Sequence, residues 1–165
     1  MMNDRIIHLE PLTAEAFAPF GDILEASGSP DMIINAGYCG RFHDLARFDF
    51  SGEDGRAGLS IFRSKARTLP YELDLMERHP LGSQAFVPMS REPFMVIVAP
   101  DDNGTPGIPK AFMTQPSQGV NFLRNTWHGV LTPFIDDADF AVIDRIGDGE
   151  NLEEYVLPRS YIIEA

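Results

Sequence analysis

Short apolar stretches, alternating or continuous and separated by turn residues, run through most of the chain. Ile6-Ile-His-Leu9 has the composition of a short strand. Thr13-Ala-Glu-Ala-Phe-Ala18 predicts one or two helical turns, with Thr13 as the N-cap and Glu15 in the first turn, limited by Pro19 and Gly21. Strands are then expected at Met32-Ile-Ile-Asn35 and Leu59-Ser-Ile-Phe-Arg63, and at Leu73 to His79, where polar and apolar residues alternate. Pro80-Leu-Gly82-Ser is a turn sequence, so Gln84 to Pro88 is expected to return beside the preceding strand as a tight hairpin. Phe94-Met-Val-Ile-Val-Ala99 is continuously apolar and suits a strand buried on both faces. Ala111–Thr114, Val120–Phe122, Trp127–Leu131 and Phe140–Ile146 complete the set. Many short strands without a long amphipathic helix predict an all-β chain, an antiparallel β-barrel or jelly roll with a few short helices.

Length and composition set the outer bounds. A chain of 165 residues, 44% hydrophobic, fits one globular domain over residues 1–165. Its net charge of −12 argues against nucleic acid as a partner, because a phosphate backbone selects for clustered lysine and arginine. The charge is uneven. The last thirty residues carry nine acids and read as a solvated surface, whereas residues 41–67 hold six of the thirteen basic groups, where an anion site would draw its charge. One cysteine, Cys39, cannot form an internal disulfide, and the N-terminus has no secretory apolar core. No apolar stretch approaches membrane-spanning length. The expected compartment is the cytoplasm, without a membrane partner.

Candidate chemistry centres on Glu77-Arg-His79-Pro-Leu-Gly-Ser-Gln84 and on Trp127-His128. Glu77 and His79 are two residues apart, so on a strand they leave the same face. With Gln84 across the turn and His128 from a distant strand, the four side chains make either a divalent-metal ligand set or a polar pocket floor. Taken singly, each has an ordinary structural reading: Glu77 as an exposed ion pair with Arg78, His128 as a core histidine bonded to a carbonyl. A carboxylate in an apolar strand nevertheless requires a cation, strong donors or a proton.

Glu77-x-His79-(x)4-Gln84 resembles the first cupin motif, with Glu in place of its first His and Gln in place of its Glu. Wider words are more specific. Arg41-Phe-His-Asp-Leu45, Leu75 through Pro88, Gln118-Gly-Val-Asn121, Trp127-His128 and Asp144-Arg145 resemble the ureidoglycolate lyases of allantoin catabolism, formerly called hydrolases, in order from about Leu9 to the C-terminus. That resemblance implies a cupin-like barrel, a homodimer, and cleavage of (S)-ureidoglycolate into glyoxylate and urea. It also suggests a divalent metal, Ni2+ or a similar ion, with two of the usual cupin ligands exchanged here.

The chemistry assigns further roles. Glu77, His79 and His128 are the expected catalytic groups, and with Gln84 the expected metal ligands. The substrate carboxylate calls for an arginine fork, for which Arg41, Arg63 and Arg124 are candidates, with His43 beside Arg41. Asn121 is the expected amide for the ureido group. A non-catalytic cupin that binds a small hydroxy or keto acid is the alternative from another functional class, since a barrel alone does not define an activity.

Overall fold

The computed structural model describes residues 5–165. Its first elements are β1 (Ile6–Pro11), α1 (Ala14–Phe17), β2 (Gly21–Leu24), β3 (Met32–Ile34), β4 (Cys39–Arg41), β5 (Arg56–Ser64), β6 (Tyr71–Arg78) and β7 (Gln84–Pro88). There follow β8 (Phe94–Ala99), β9 (Asp101–Asp102), β10 (Thr105–Pro106), β11 (Lys110–Met113) and β12 (Gly119–Phe122). The chain closes with β13 (Trp127–His128), β14 (Thr132–Pro133), β15 (Ala138–Ile146) and β16 (Glu153–Glu164).

Six strands close into a barrel in the order β11, β1, β16, β6, β13, β8, because β8 also pairs with β11. β1 runs parallel to both of its neighbours, and the other barrel pairings are antiparallel. A five-stranded sheet of order β2-β12-β7-β15-β5 packs on one side of the barrel wall. β8 shows how the sequence builds both layers. Met95, Ile97 and Ala99 join Leu73, Met76, Trp127, Tyr161 and Ile163 inside the barrel. Phe94, Val96 and Val98 face the second sheet and meet Phe86, Val120, Phe122, Phe140 and Val142. All six β8 residues are buried, as the unbroken apolar run predicts. Edge-to-face aromatic contacts order the inter-layer core, such as Phe94 on Phe140 with centroids 4.9 Å apart and planes at 77°.

The predicted helical turn is present, with Thr13 Oγ1 accepting from the Ala16 N–H at 3.2 Å. The tight hairpin between β6 and β7 is a correction. β6 lies in the barrel between β16 and β13, whereas β7 lies in the second sheet between β12 and β15. Residues 79–83 therefore carry the chain from one layer to the other, held by the Ser83 N–H donating to the Asp49 carbonyl and the Asn125 N–H donating to the His79 carbonyl.

The acidic C-terminal region is a second correction. β16 is a twelve-residue barrel strand with Leu157, Tyr161 and Ile163 buried. Its alternation is obscured by Glu153 and Glu154 at the start and by a register shift between Val156 and Tyr161. The strand expected over Trp127–Leu131 is interrupted after His128 and resumes along β8 at Thr132. Among the described residues no helix is long and apolar enough to cross a membrane.

Candidate active site

Glu77 and His128 are register partners on the antiparallel pair β6–β13, so their side chains leave the same face of the barrel wall, toward the second sheet. Glu77 Oε1 lies 3.9 Å from His128 Nδ1. Trp127 points the opposite way, into the barrel, so both members of the Trp-His pair are buried. The His128 ring stacks on Phe122 of β12, with centroids 4.4 Å apart and planes at 3°. His79 follows β6 directly, and its ring centroid is 5.2 Å from that of His128. One donor atom from each of Glu77, His79 and His128 lies within 4.8 Å of the others.

Hydrogen bonds fix both imidazoles in the same way. His128 Nδ1 donates to the Gly129 carbonyl at 2.9 Å, and His79 Nδ1 donates to the Asn151 carbonyl at 2.7 Å. A ring whose Nδ1 is so engaged turns its Nε2 toward the site. His128 Nε2 is buried with no partner among the described residues. His79 Nε2 lies 3.1 Å from Gln84 Oε1, and Gln84 Nε2 donates to Asp144 Oδ2 at 3.1 Å. Gln84 thus spans His79 and Asp144 rather than standing free beside Glu77.

The electrostatics follow from burial. Removal from water pushes the Glu77 carboxyl above the usual carboxylate range; His79 opposes that shift, while Glu154, its register partner on β16, adds to it. Burial, with a smaller contribution from His79, holds the His128 imidazole down to about 3, so it is neutral at ordinary pH. Beside the pair a cavity is lined by Glu77, His128, Phe86, Phe94, Phe122 and Leu131, among others. Its walls are apolar, and a carboxylate and an unpartnered imidazole nitrogen stand at one side.

The remaining expected site residues lie elsewhere. Arg63 makes a two-pronged pair with Asp139 at 2.8 Å, on the outward side of β5 and β15. Asn121 points away from the cavity, since its neighbours Val120 and Phe122 on β12 face inward. Its amide instead donates to Asp22 at 3.0 Å and to the Arg47 carbonyl at 3.3 Å, securing the segment that crosses the outer face of the sheet. Arg124 pairs with Asp49 at 3.1 Å. Arg41 ends β4, which among the described residues pairs with β3 alone, and both it and His43 are exposed. The His43 backbone N–H donates to Asp31. Arg78, the ion-pair partner considered for Glu77, pairs with Asp101 and Glu153 and lies over the Trp127 ring.

Sequence reasoning did not single out Asn151, which touches His79 with its carbonyl, and met Asp144 only as part of a resembling word. Asn151 sits in a polar, glycine-containing loop, Gly147-Asp-Gly-Glu-Asn151, with no periodicity to mark it.

The donor set suits a divalent cation. A carboxylate and two imidazoles converge, each ring is oriented by a backbone carbonyl, and one buried nitrogen lone pair is unpartnered. Glu77, His79 and His128 would hold the ion, His79 through the Nε2 that faces Gln84 Oε1, while the Gln84 amide is secured by Asp144.

Fold and site together define a cupin-like β-barrel protein with a carboxylate–imidazole cluster between its two layers. The family model described as ureidoglycolate lyase matches residues 4–164, and the chain belongs to that family. It is 61% identical to a ureidoglycolate lyase of Rhodobacter capsulatus over 156 residues, 94% of this chain and 96% of that protein. Relatives so named from Chelativorans sp., 54% identical over 96% of each chain, and Rhizobium meliloti, where ureidoglycolate lyase 2 is 49% identical over 94% of this chain and 96% of its own, agree. The protein is an enzyme of the lyase class.

Proposed function

We propose that this chain cleaves ureidoglycolate, releasing glyoxylate and urea, at the Glu77–His79–His128 cluster. Membership of the family supports the substrate. The observation that carries the site is the half-buried Glu77 carboxylate facing the buried His128 across two barrel strands, beside an apolar cavity.

The substrate is a hemiaminal: one carbon carries a hydroxyl, a ureido nitrogen and a carboxylate. Glu77, whose raised pKa brings it nearer to a working proton acceptor, takes the hydroxyl proton. The oxygen's electron pair forms the aldehyde C=O bond, the C–N bond breaks, and its pair moves to the urea nitrogen. Glu77 then returns the same proton to that nitrogen, so atoms and charge balance. His128 Nε2, neutral and unpartnered among the described residues, offers its lone pair to a bound cation or, in the metal-free site, to a substrate donor, and the phenylalanine walls exclude water. A divalent cation, nickel being the ion the resemblance suggests, would supply positive charge that lowers the hydroxyl pKa.

The pathway role is allantoin catabolism, and the working unit is a homodimer. Exposed apolar residues support the second copy: Leu59 and Ile61 on edge strand β5, and Ile33 and Tyr38 on or beside the β3–β4 hairpin, are 71%, 55%, 63% and 93% exposed. The free Cys39 suits a reducing compartment, the cytoplasm. Light scattering after size exclusion tests the dimer: about twice the 18.4 kDa chain mass is expected, and a monomer at micromolar concentration contradicts it. Incubation with racemic ureidoglycolate tests the activity, with urea and glyoxylate expected from one enantiomer.

A further inference from the structure

Two features outside the catalytic cluster converge on His79. The first is Asn151. Its carbonyl accepts from His79 Nδ1 at 2.7 Å, and its side-chain Oδ1 accepts from the Leu81 backbone N–H at 2.8 Å. One residue therefore grips both the imidazole and the turn that follows it. The second is the loop that presents Asn151. Arg145, with only 2% of its side chain exposed, donates from Nε to the Ser51 carbonyl at 2.6 Å and from Nη2 to the Asp148 carbonyl at 2.9 Å. Asp54 closes this arrangement by accepting from the Asp148 N–H and from Arg145 Nη2.

The same loop packs on the interlayer turn. A Cβ at Gly149 would stand 3.0 Å from Leu81 Cδ1, and one at Gly82 would stand 2.7 Å from the Arg145 Cβ. The approach is close on both sides. The main-chain carbonyl of His79 is meanwhile held by the Asn125 N–H at 3.0 Å. What leaves the His79 ring in one orientation is thus the Asn151 carbonyl on Nδ1, with Gln84 on Nε2.

We propose that Asn151 is a positioning residue for the lyase reaction, fixing the tautomer and direction of His79 from a loop braced by buried Arg145. This rests on the proposed role of the Glu77–His79–His128 cluster. Among the described residues Asn151 makes no hydrogen bond to Glu77 or His128; its side chain clamps the Leu81 backbone and so holds in place the carbonyl that reaches His79.

The test uses the full chain with Asn151→Ala and Asn151→Asp. Aspartate keeps an oxygen to accept from the Leu81 N–H; alanine does not. N151A keeps the main-chain carbonyl that accepts from His79 Nδ1 but removes the side-chain clamp on Leu81 that holds this carbonyl in place. The kcat for urea release is therefore expected to fall about 10-fold, the low end of the range for a disturbed histidine partner, with KM changed less than kcat. N151D is expected to recover kcat to within about threefold, as most of the orienting geometry is kept. A readout independent of turnover is the His79 Nδ1–H signal in a 1H–15N spectrum, assigned by its loss in H79Q. It should be protected from solvent exchange in the wild type and in N151D, and exchange measurably faster in N151A, where the carbonyl remains but the clamp that holds it is gone. Wild-type kcat in N151A, or an unchanged protected Nδ1–H there, overturns the inference. Failure of the wild type itself to release urea would instead overturn the proposed activity and leave the spectroscopic arm standing.

Discussion

Glu77 and His128 sit directly opposite each other on neighbouring barrel strands, with Oε1 3.9 Å from Nδ1, although fifty residues of chain separate them. The pair is not a salt bridge in the usual sense, because burial keeps the imidazole neutral and pushes the carboxyl up. The imidazole is thereby held neutral as a hydrogen-bond acceptor or ligand, and the carboxyl is made a stronger proton acceptor than an exposed one.

Glu77→Gln keeps the shape and removes the proton acceptor. We expect kcat to fall about 100- to 10,000-fold, the usual contribution of a positioned general base. Thermal stability should hold or rise, because the native state disfavours this carboxylate's charge. In the wild type, kcat/KM should fall as pH is lowered through the raised Glu77 pKa, and this acid limb should disappear in the residual activity of E77Q. Unchanged turnover in folded E77Q would move the base elsewhere.

His128 predicts a pH dependence of stability in metal-free protein. Its pKa is about 3 in the fold against an ordinary value of 6.5. The unfolded chain therefore binds a proton that the native state refuses. This contribution is complete above about pH 6.5 and is lost as pH falls toward 3, with a slope approaching about 1.4 kcal/mol per pH unit. Denaturant titrations of wild type and His128→Phe between those limits should converge toward acid, because the variant lacks this term. Parallel curves would contradict the buried neutral imidazole.

Metal removal separates the cation's contribution from that of the side chains. Protein stripped with EDTA should lose most of its turnover and regain it with Ni2+, and H128A should bind the ion at least about 10-fold more weakly. Full activity with no bound metal, verified by elemental analysis, would exclude the cation from the reaction.

Gly82→Ala tests the packing of the interlayer turn. The added Cβ meets the Arg145 Cβ at 2.7 Å and the Asp49 carbonyl at 3.0 Å, so one of them must shift. The expected destabilisation is about 1–3 kcal/mol, typical of overpacking at a tight site, with a reduced kcat because the turn carries His79. A variant as stable and as active as wild type would show that the turn tolerates displacement.

How far the sequence spoke depended on whether periodicity matched environment. β8 and β7 could be read to their ends because every residue of the first is apolar and the second lies between clear turn residues. β16 was hidden because its outward acids and mid-strand irregularity overlay a real alternation of Tyr155, Leu157, Tyr161 and Ile163. Spacing alone placed Glu77 with His79, and Trp127-His128 entered as a second candidate from a distant strand, whose pairing with Glu77 only the fold supplies. It did not show that the chain changes layer between His79 and Gln84, since a turn sequence specifies a reversal without naming the strand it returns to. Arg63 and Asn121 have the right functional groups for substrate, but their strand parity turns them to the outer face of the sheet.

The most direct test remains turnover of ureidoglycolate by the purified wild-type protein, with urea and glyoxylate measured together. Equimolar release of both from a single enantiomer is expected, at a rate reduced to near background in E77Q. Release no faster than spontaneous decay, or equal consumption of both enantiomers, would contradict it.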